Sequence, residues 1–258
     1  MSIEVSENKD VFLLSTNSTS YVFGVDDQGL LRHLYWGRKL TSVADLEMPP
    51  LTEVSTNDPM FEITREEFPV HGGLRYKEHC LKVIFADGTR ELVYQYCGYD
   101  VTQSEEQEEL ILHLKDEHYA FYVDLHYVLH PAYDLMERSA VIRNEMSDPI
   151  QVEELYSAQF HIPYENLNFS NVHGHWGAEE QRFTQKVSYG KIVIENRRGI
   201  SGHNHNPYFI LDRDASETSG EVFFGALRRT GNFWGVVYRH GHSLLVHASV
   251  HVLHQGRA

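Results

Sequence analysis

Cysteine is nearly absent from the chain. The two present, Cys80 and Cys97, stand in apolar, strand-like stretches without the even, close spacing of a secreted disulfide framework, which predicts free thiols in a reducing compartment. Basic residues are also scarce: 22 Lys and Arg face 37 Asp and Glu, for a formal net charge of -15. Such a surface repels phosphate backbones and anionic lipid, so nucleic acid and membrane are excluded as natural partners. No stretch approaches the ~20 apolar residues of a spanning helix. The opening residues, MSIEVSENKD, lack the apolar run of an export signal. Together these absences predict a soluble, cytoplasmic protein.

Several chemistries lack their motifs as well. There is no G-x-S-x-G elbow, and neither cysteine has a helix start or cationic neighbour to make it a thiolate, which argues against a triad or thiol hydrolase. His173-x-His175, His203-x-His205 and His240-x-His242 invite a metal reading, because residues two apart in a strand share a face. No paired-cysteine motif or HExxH helix supports it, so no metal and no cofactor are expected.

What the chain has in quantity is period-two alternation. Tyr119, Phe121, Val123, Leu125, Tyr127 and Leu129 fall on one face, with Asp124, His126 and His130 on the other. Leu110, Leu112 and Leu114 alternate just upstream, and Lys115 to His118 reads as the turn that joins the two as a hairpin. A second hairpin is predicted where Leu81, Val83 and Phe85 lead to Asp87-Gly88, a type I′ signal, with Leu92, Tyr94 and Tyr96 returning. Leu244, Val246, Ala248, Val250 and Val252 share a face near the end, and Gly29 and Gly220 mark turns. Many short strands with almost no helix predict an all-β antiparallel sandwich, with neither a linker nor an internal repeat. Residues 45–73, broken by Pro49-Pro50, Asp58-Pro59 and Phe68-Pro69, form a long irregular connection of the kind that often carries function.

Two stretches stand out chemically. In GHWGAEE (174–180), Trp176 sits between glycines in a loop and either presents its ring to the apolar face of a sugar or plugs the sandwich edge. NRRGISGHNHNPYFIL (196–211) reads as neither strand nor helix. The acid run Glu105, Glu106, Glu108 and Glu109 reads as a solvated turn.

In their order and spacing, LLRHLYWG (30–37), EEFPVHGGLRYKE (66–78), GHWGAEE, NRRGISGHNHNPYFIL and GEVFFGALRRTGNF (220–233) resemble the N-terminal domain of glycoside hydrolase family 36 α-galactosidases. The resemblance covers nearly the whole chain. It implies a single galactose-mutarotase-like β-supersandwich over residues 1–258, cut short at its C-terminal end, in an enzyme whose (β/α)₈ barrel carries the two catalytic aspartates. It further implies retaining hydrolysis of terminal α-galactosides such as melibiose and raffinose, with no catalytic residue in this chain, the barrel as partner, and a homo-oligomeric full enzyme.

By the same resemblance Trp176 contacts the galactoside substrate, and in PPLTEV Thr52 stands where an acid falls in other members, with Glu53 one place later. Arg75, in a stretch that departs from the usual Gly-x-Asp-(Phe/Tyr)-Arg, is expected to fix a loop without touching substrate. Residues 196–211 are expected to dock the sandwich on the barrel, with Asn206 capping a turn and Arg197 or Arg198 pairing with acids. Two other readings stay open: a stand-alone carbohydrate-binding module, and a structural or oligomer-forming subunit. A mutarotase-like activity is the weakest, for want of a convincing His and Glu pair.

Overall fold

A computed structural model describes residues 2–44, 46–49, 64–73, 75–162, 166–228, 231–240 and 243–250, with backbone alone over 238–240 and 243–250. The chain divides into two compact units, Met1–Glu154 and Leu155–Ala258. The four-stranded sheets are antiparallel throughout, and among the described residues the helical content is one 3-10 turn, as the alternation predicts.

The first unit opens with a meander of β1 (Ile3–Val5), β2 (Val11–Ser15), β3 (Thr19–Val25) and β4 (Leu31–Arg38), hydrogen-bonded in that order. β5 (Leu81–Ile84) follows, then a second meander of β6 (Tyr94–Gln103), β7 (Glu108–Asp116), β8 (Phe121–His130) and β9 (Leu135–Asn144). β10 (Gln151–Leu155) returns to pair with β5.

β8 alternates strictly between buried and half-buried positions, as its sequence period requires. β2 does not alternate, because both its faces are covered. On one side Phe12 stacks on Phe23 at 5.2 Å and meets Tyr99 edge-on, while Phe23 stacks on Tyr127 at 4.9 Å, so the two meanders pack face to face. On the other side Leu40, Val43, Leu46 and Met48 from the connection after β4 cover Val11, Leu13 and Val22.

Two predicted hairpins change. The β7–β8 turn falls after Asp116, later than Lys115 to His118, because Lys115 is still paired with Tyr122. Tyr119 lies in that turn, where it stacks on Phe85 at 3.8 Å. The Asp87-Gly88 turn forms, but Leu81–Ile84 pairs with β10, and Tyr94 and Tyr96 belong to the β6–β7 ladder. Nor is the turn type I′: Gly88 donates to the Phe85 carbonyl and sits at φ 86 while Asp87 has ordinary φ, and the Phe85 amide donates to Thr89. That is a three-residue loop closed by a glycine bulge.

The second unit comprises β11 (Ala158–Ile162), β12 (Asn168–His175), β13 (Ala178–Lys186), β14 (Gly190–Asn196), β15 (Tyr208–Asp212), β16 (Val222–Ala226), β17 (Phe233–His240) and β18 (Ser243–Val250). They form two sheets, in the orders β11-β18-β17-β14 and β13-β12-β15-β16. Phe169, Leu211 and Phe223, in register across β12, β15 and β16, are buried in one, and Ile194, Phe233, Val236 and Val237 in the other. Four of the five predicted apolar positions of the last strand lie in β18; Val252 lies outside the described residues.

Candidate functional site

Trp176 occupies the tip of the β12–β13 hairpin, where His175 pairs with Ala178 and the turn holds only Trp176 and Gly177. Gly177, at φ 78, supplies the left-handed residue, and its amide donates to Glu179 Oε1 at 2.9 Å. Gly174 is required for a different reason: a Cβ there would lie 2.4 Å from the Ala178 carbonyl oxygen. The strands therefore approach too closely for a side chain at that point. The turn leaves the indole 87% exposed, which rules out Trp176 as an edge plug.

Residues 196–206 run beside this hairpin. The Asn206 amide donates to the Val172 carbonyl at 2.9 Å, which ties the segment to β12. Buried Asn171 reaches across with its Nδ2, donating to the carbonyls of Asn206 and Tyr208, while its Oδ1 meets His205 Nδ1 at 3.1 Å. His173 lies 5.8 Å from the His205 ring and 5.8 Å from Phe183. Burial, followed by the nearby His173, holds the His205 pKa below its ordinary value. The Gly177 amide is the main cause that holds Glu179 low, with His203 and His175 contributing. The tip thus offers an exposed indole flanked by imidazoles, and its nearest carboxylate is engaged by the turn. This arrangement suits stacking on, and hydrogen bonding to, an uncharged hydroxyl-rich ligand better than bond cleavage.

The opening stretch of this segment is a structured loop. Asn196 is buried and its Nδ2 donates to the carbonyls of Ile200 and Gly231, while the Gly199 amide donates to Asn232 Oδ1 at 2.7 Å. Arg197 pairs with Glu195 in solvent. Asn206, expected to cap a turn before Pro207, accepts from the Tyr208 amide across that proline and donates its own amide to Val172.

The remaining sequence-predicted residues separate in place. Thr52 and Glu53 lie outside the described residues. Arg75 binds Glu66 through Nε at 2.9 Å, and Lys77 binds the same carboxylate at 2.8 Å, so Arg75 fixes the connection as anticipated. Of the acid run, Glu105 and Glu106 are exposed, but Glu108 is buried and accepts the amides of Ser2 and Ile3, and Glu109 binds His126. Buried and partly buried backbone amides need an acceptor, and that overrides the solvated-turn expectation for Glu108. Both cysteines are free, Cys80 buried and Cys97 exposed.

Sequence reasoning missed Glu67. It is fully buried, accepts from Tyr21 Oη at 2.7 Å and Tyr127 Oη at 3.0 Å, and pairs with Arg138, whose guanidinium lies 4.4 Å from the Tyr127 ring. Burial pushes its pKa up, but Arg138, the His33 ring at 3.6 Å and the bond from Tyr21 outweigh that and bring it to about 2. The signal was present as two consecutive acids beside an apolar Phe-Pro-Val, an unusual place for a charge without a partner. Among the described residues no group of three or more metal-ligating side chains converges.

The chain is similar to known proteins over most of its length. The model of the glycosyl hydrolase family 36 N-terminal domain matches residues 29–254. Probable α-galactosidase G of Aspergillus terreus is 30% identical over 238 residues, which cover 86% of this chain and 33% of that protein. α-Galactosidase AgaA of Geobacillus stearothermophilus is 24% identical over 257 residues, 90% of this chain and 35% of that protein. Among solved structures, the family 36 α-galactosidase AgaB of Geobacillus stearothermophilus superposes with a TM-score of 0.85 at 23% identity, over 96% of this chain and 37% of that one. A variant of AgaA in complex with raffinose gives 0.82 at 22%, over 92% and 37%. The chain therefore spans about a third of the length of the relatives it matches.

Proposed function

Since the chain belongs to the glycosyl hydrolase family 36 N-terminal domain family, we propose that it serves as the accessory domain of an α-galactosidase that hydrolyses terminal α-galactosides of the melibiose and raffinose type. The observation that carries this is the alignment itself. It runs along nearly the whole chain and covers about a third of enzymes named α-galactosidases. The catalytic aspartates belong to the remaining two thirds, the barrel, on the same or another chain.

In this reading Trp176 is the domain's contribution to the galactoside pocket. Its ring is exposed at the end of a tight two-residue hairpin turn. A broad aromatic plane with only two side-chain torsions stacks on the apolar face of a pyranose at little entropic cost. In the full enzyme the pocket is completed across a homo-oligomer contact, and the work is done in the cytoplasm as part of carbohydrate catabolism.

The test is release of p-nitrophenol from p-nitrophenyl α-galactoside, by the purified chain alone and after mixing with a separately expressed family 36 barrel fragment. Silence alone and activity on mixing are expected. Activity from the chain alone would refute the assignment of the catalytic residues to the barrel.

A further inference from the structure

Beside the Trp176 hairpin lies a pair of imidazoles whose tautomers are set by their surroundings. His173 Nδ1 is 3.2 Å from the Gln181 carbonyl oxygen, a group that only accepts, so Nδ1 carries the proton and Nε2 keeps its lone pair. His205 Nδ1 is 3.1 Å from Asn171 Oδ1. The Asn171 amide cannot be turned over, because its Nδ2 already donates to the carbonyls of Asn206 and Tyr208, so the atom facing His205 is an acceptor. His205 too is protonated on Nδ1, with the Nε2 lone pair available.

The spacing of the rings fits a shared cation. Zinc binds imidazole nitrogen at about 2.0–2.1 Å, which sets it roughly 3.2 Å from each ring centroid, so two rings on one ion lie ~5.2 Å apart at the tetrahedral angle and ~6.4 Å apart at most, when that angle opens to linear. The observed separation is 5.8 Å, at an interplanar angle of 42°. Donation of Nδ1–H to a carbonyl or amide oxygen, with Nε2 left for the metal, is also the outer-sphere arrangement that orients ligating histidines.

We propose that His173 and His205 form a two-imidazole site for a divalent transition cation of the zinc, nickel and copper class. Imidazole favours this class over calcium or magnesium. With no third side chain converging among the described residues, water completes the coordination shell. The ion would clamp the segment carrying His205 onto β12 and stiffen the flank of the Trp176 hairpin.

The experiment is calorimetric titration of the untagged 258-residue chain with zinc chloride at neutral pH, alongside His173→Ala, His205→Ala and His113→Ala. The last is a control, since both ring nitrogens of His113 are taken up by Asp124 and Asp100. A site saturating at one equivalent is expected, weakened about tenfold or more by either of the first two changes and untouched by the third. Long-range proton–nitrogen spectra of the metal-free chain should find Nε2 unprotonated in His173 and His205. Zinc binding unaffected by both substitutions, no saturable site in the unaltered chain, or an Nε2–H tautomer at either residue would overturn the proposal.

Discussion

Arg138→Met probes the polar centre of the first unit most directly. The change preserves side-chain bulk but removes the cation paired with Glu67 and lying 4.4 Å from the Tyr127 ring. Glu67 would keep its two tyrosine donors and lose its countercharge in a fully buried site. Removing one partner of a buried pair typically costs about 3–5 kcal/mol, whereas an exposed pair such as Arg197–Glu195 is worth about 0–1 kcal/mol. Domains are stable by only about 5–15 kcal/mol, so the loss is a large fraction of the total. With a urea dependence of about 1–3 kcal/mol/M, the midpoint of the first unit should fall by about 1 M or more.

A second variant, Arg138→Met with Glu67→Leu, removes both charges. An apolar replacement of a buried pair is often neutral, but here Tyr21 and Tyr127 lose an acceptor, at about 1–3 kcal/mol for an orphaned hydroxyl. The double variant should therefore fall between the unaltered chain and Arg138→Met. Urea denaturation followed by near-ultraviolet circular dichroism measures all three, with Arg197→Ala as the surface control. A loss below about 1 kcal/mol for Arg138→Met, no larger than the surface control, would refute the reasoning. So would a double variant less stable than the single.

Acid should act through the same cluster. The Glu67 pKa is depressed from 4.5 to about 2, so its contribution is complete above 4.5 and disappears as pH falls from there toward 2. That is about 3 kcal/mol of stability, absent from Glu67→Gln in a pH series of urea midpoints. Gly174→Ala should weaken the β12–β13 hairpin by about 1–3 kcal/mol, because its Cβ meets the Ala178 carbonyl and the Glu179 Cα, backbone atoms that cannot rotate away; hydrogen exchange across the hairpin reads this out. Trp176→Ala should leave stability within about 0.5 kcal/mol, its ring being solvent-exposed, while lowering kcat/KM in the enzyme reconstituted with the barrel; an unchanged kcat/KM would remove it from the pocket. Of the two thiols, Cys97 should react with a disulfide reagent in the native chain, and buried Cys80, whose thiol is pushed up mainly by burial, only after denaturation.

The hairpins show where local pattern is a sufficient guide. Leu110, Leu112 and Leu114 lie directly across from Tyr127, Leu125 and Val123, because a period of two and a short turn leave one register that buries both faces. Leu81 to Ile84 carries an equally clear alternation and an equally clear turn, yet its partner is β10, about seventy residues on. Alternation states that a strand has a buried side, and says nothing of which strand lies next to it.

Amino-acid order alone determined the fold class, the turn glycines and the free thiols, because each depends on neighbours a few residues away, whereas the exposure of the Trp176 ring was decided by the folded hairpin. Chain order also carried the family motifs, whose order and spacing survive in the text of the chain. Only the tertiary structure decided what those motifs do. Glu66 and Glu67 look alike in EEFPVHGGLRYKE, but one binds Arg75 and Lys77 beside it and the other a guanidinium 71 positions away. Likewise His173 and His205 belong to different His-x-His pairs in the sequence, and only the fold brings their rings to 5.8 Å. Charge compensation and proton placement depend on distances through space, and chain order does not record those distances.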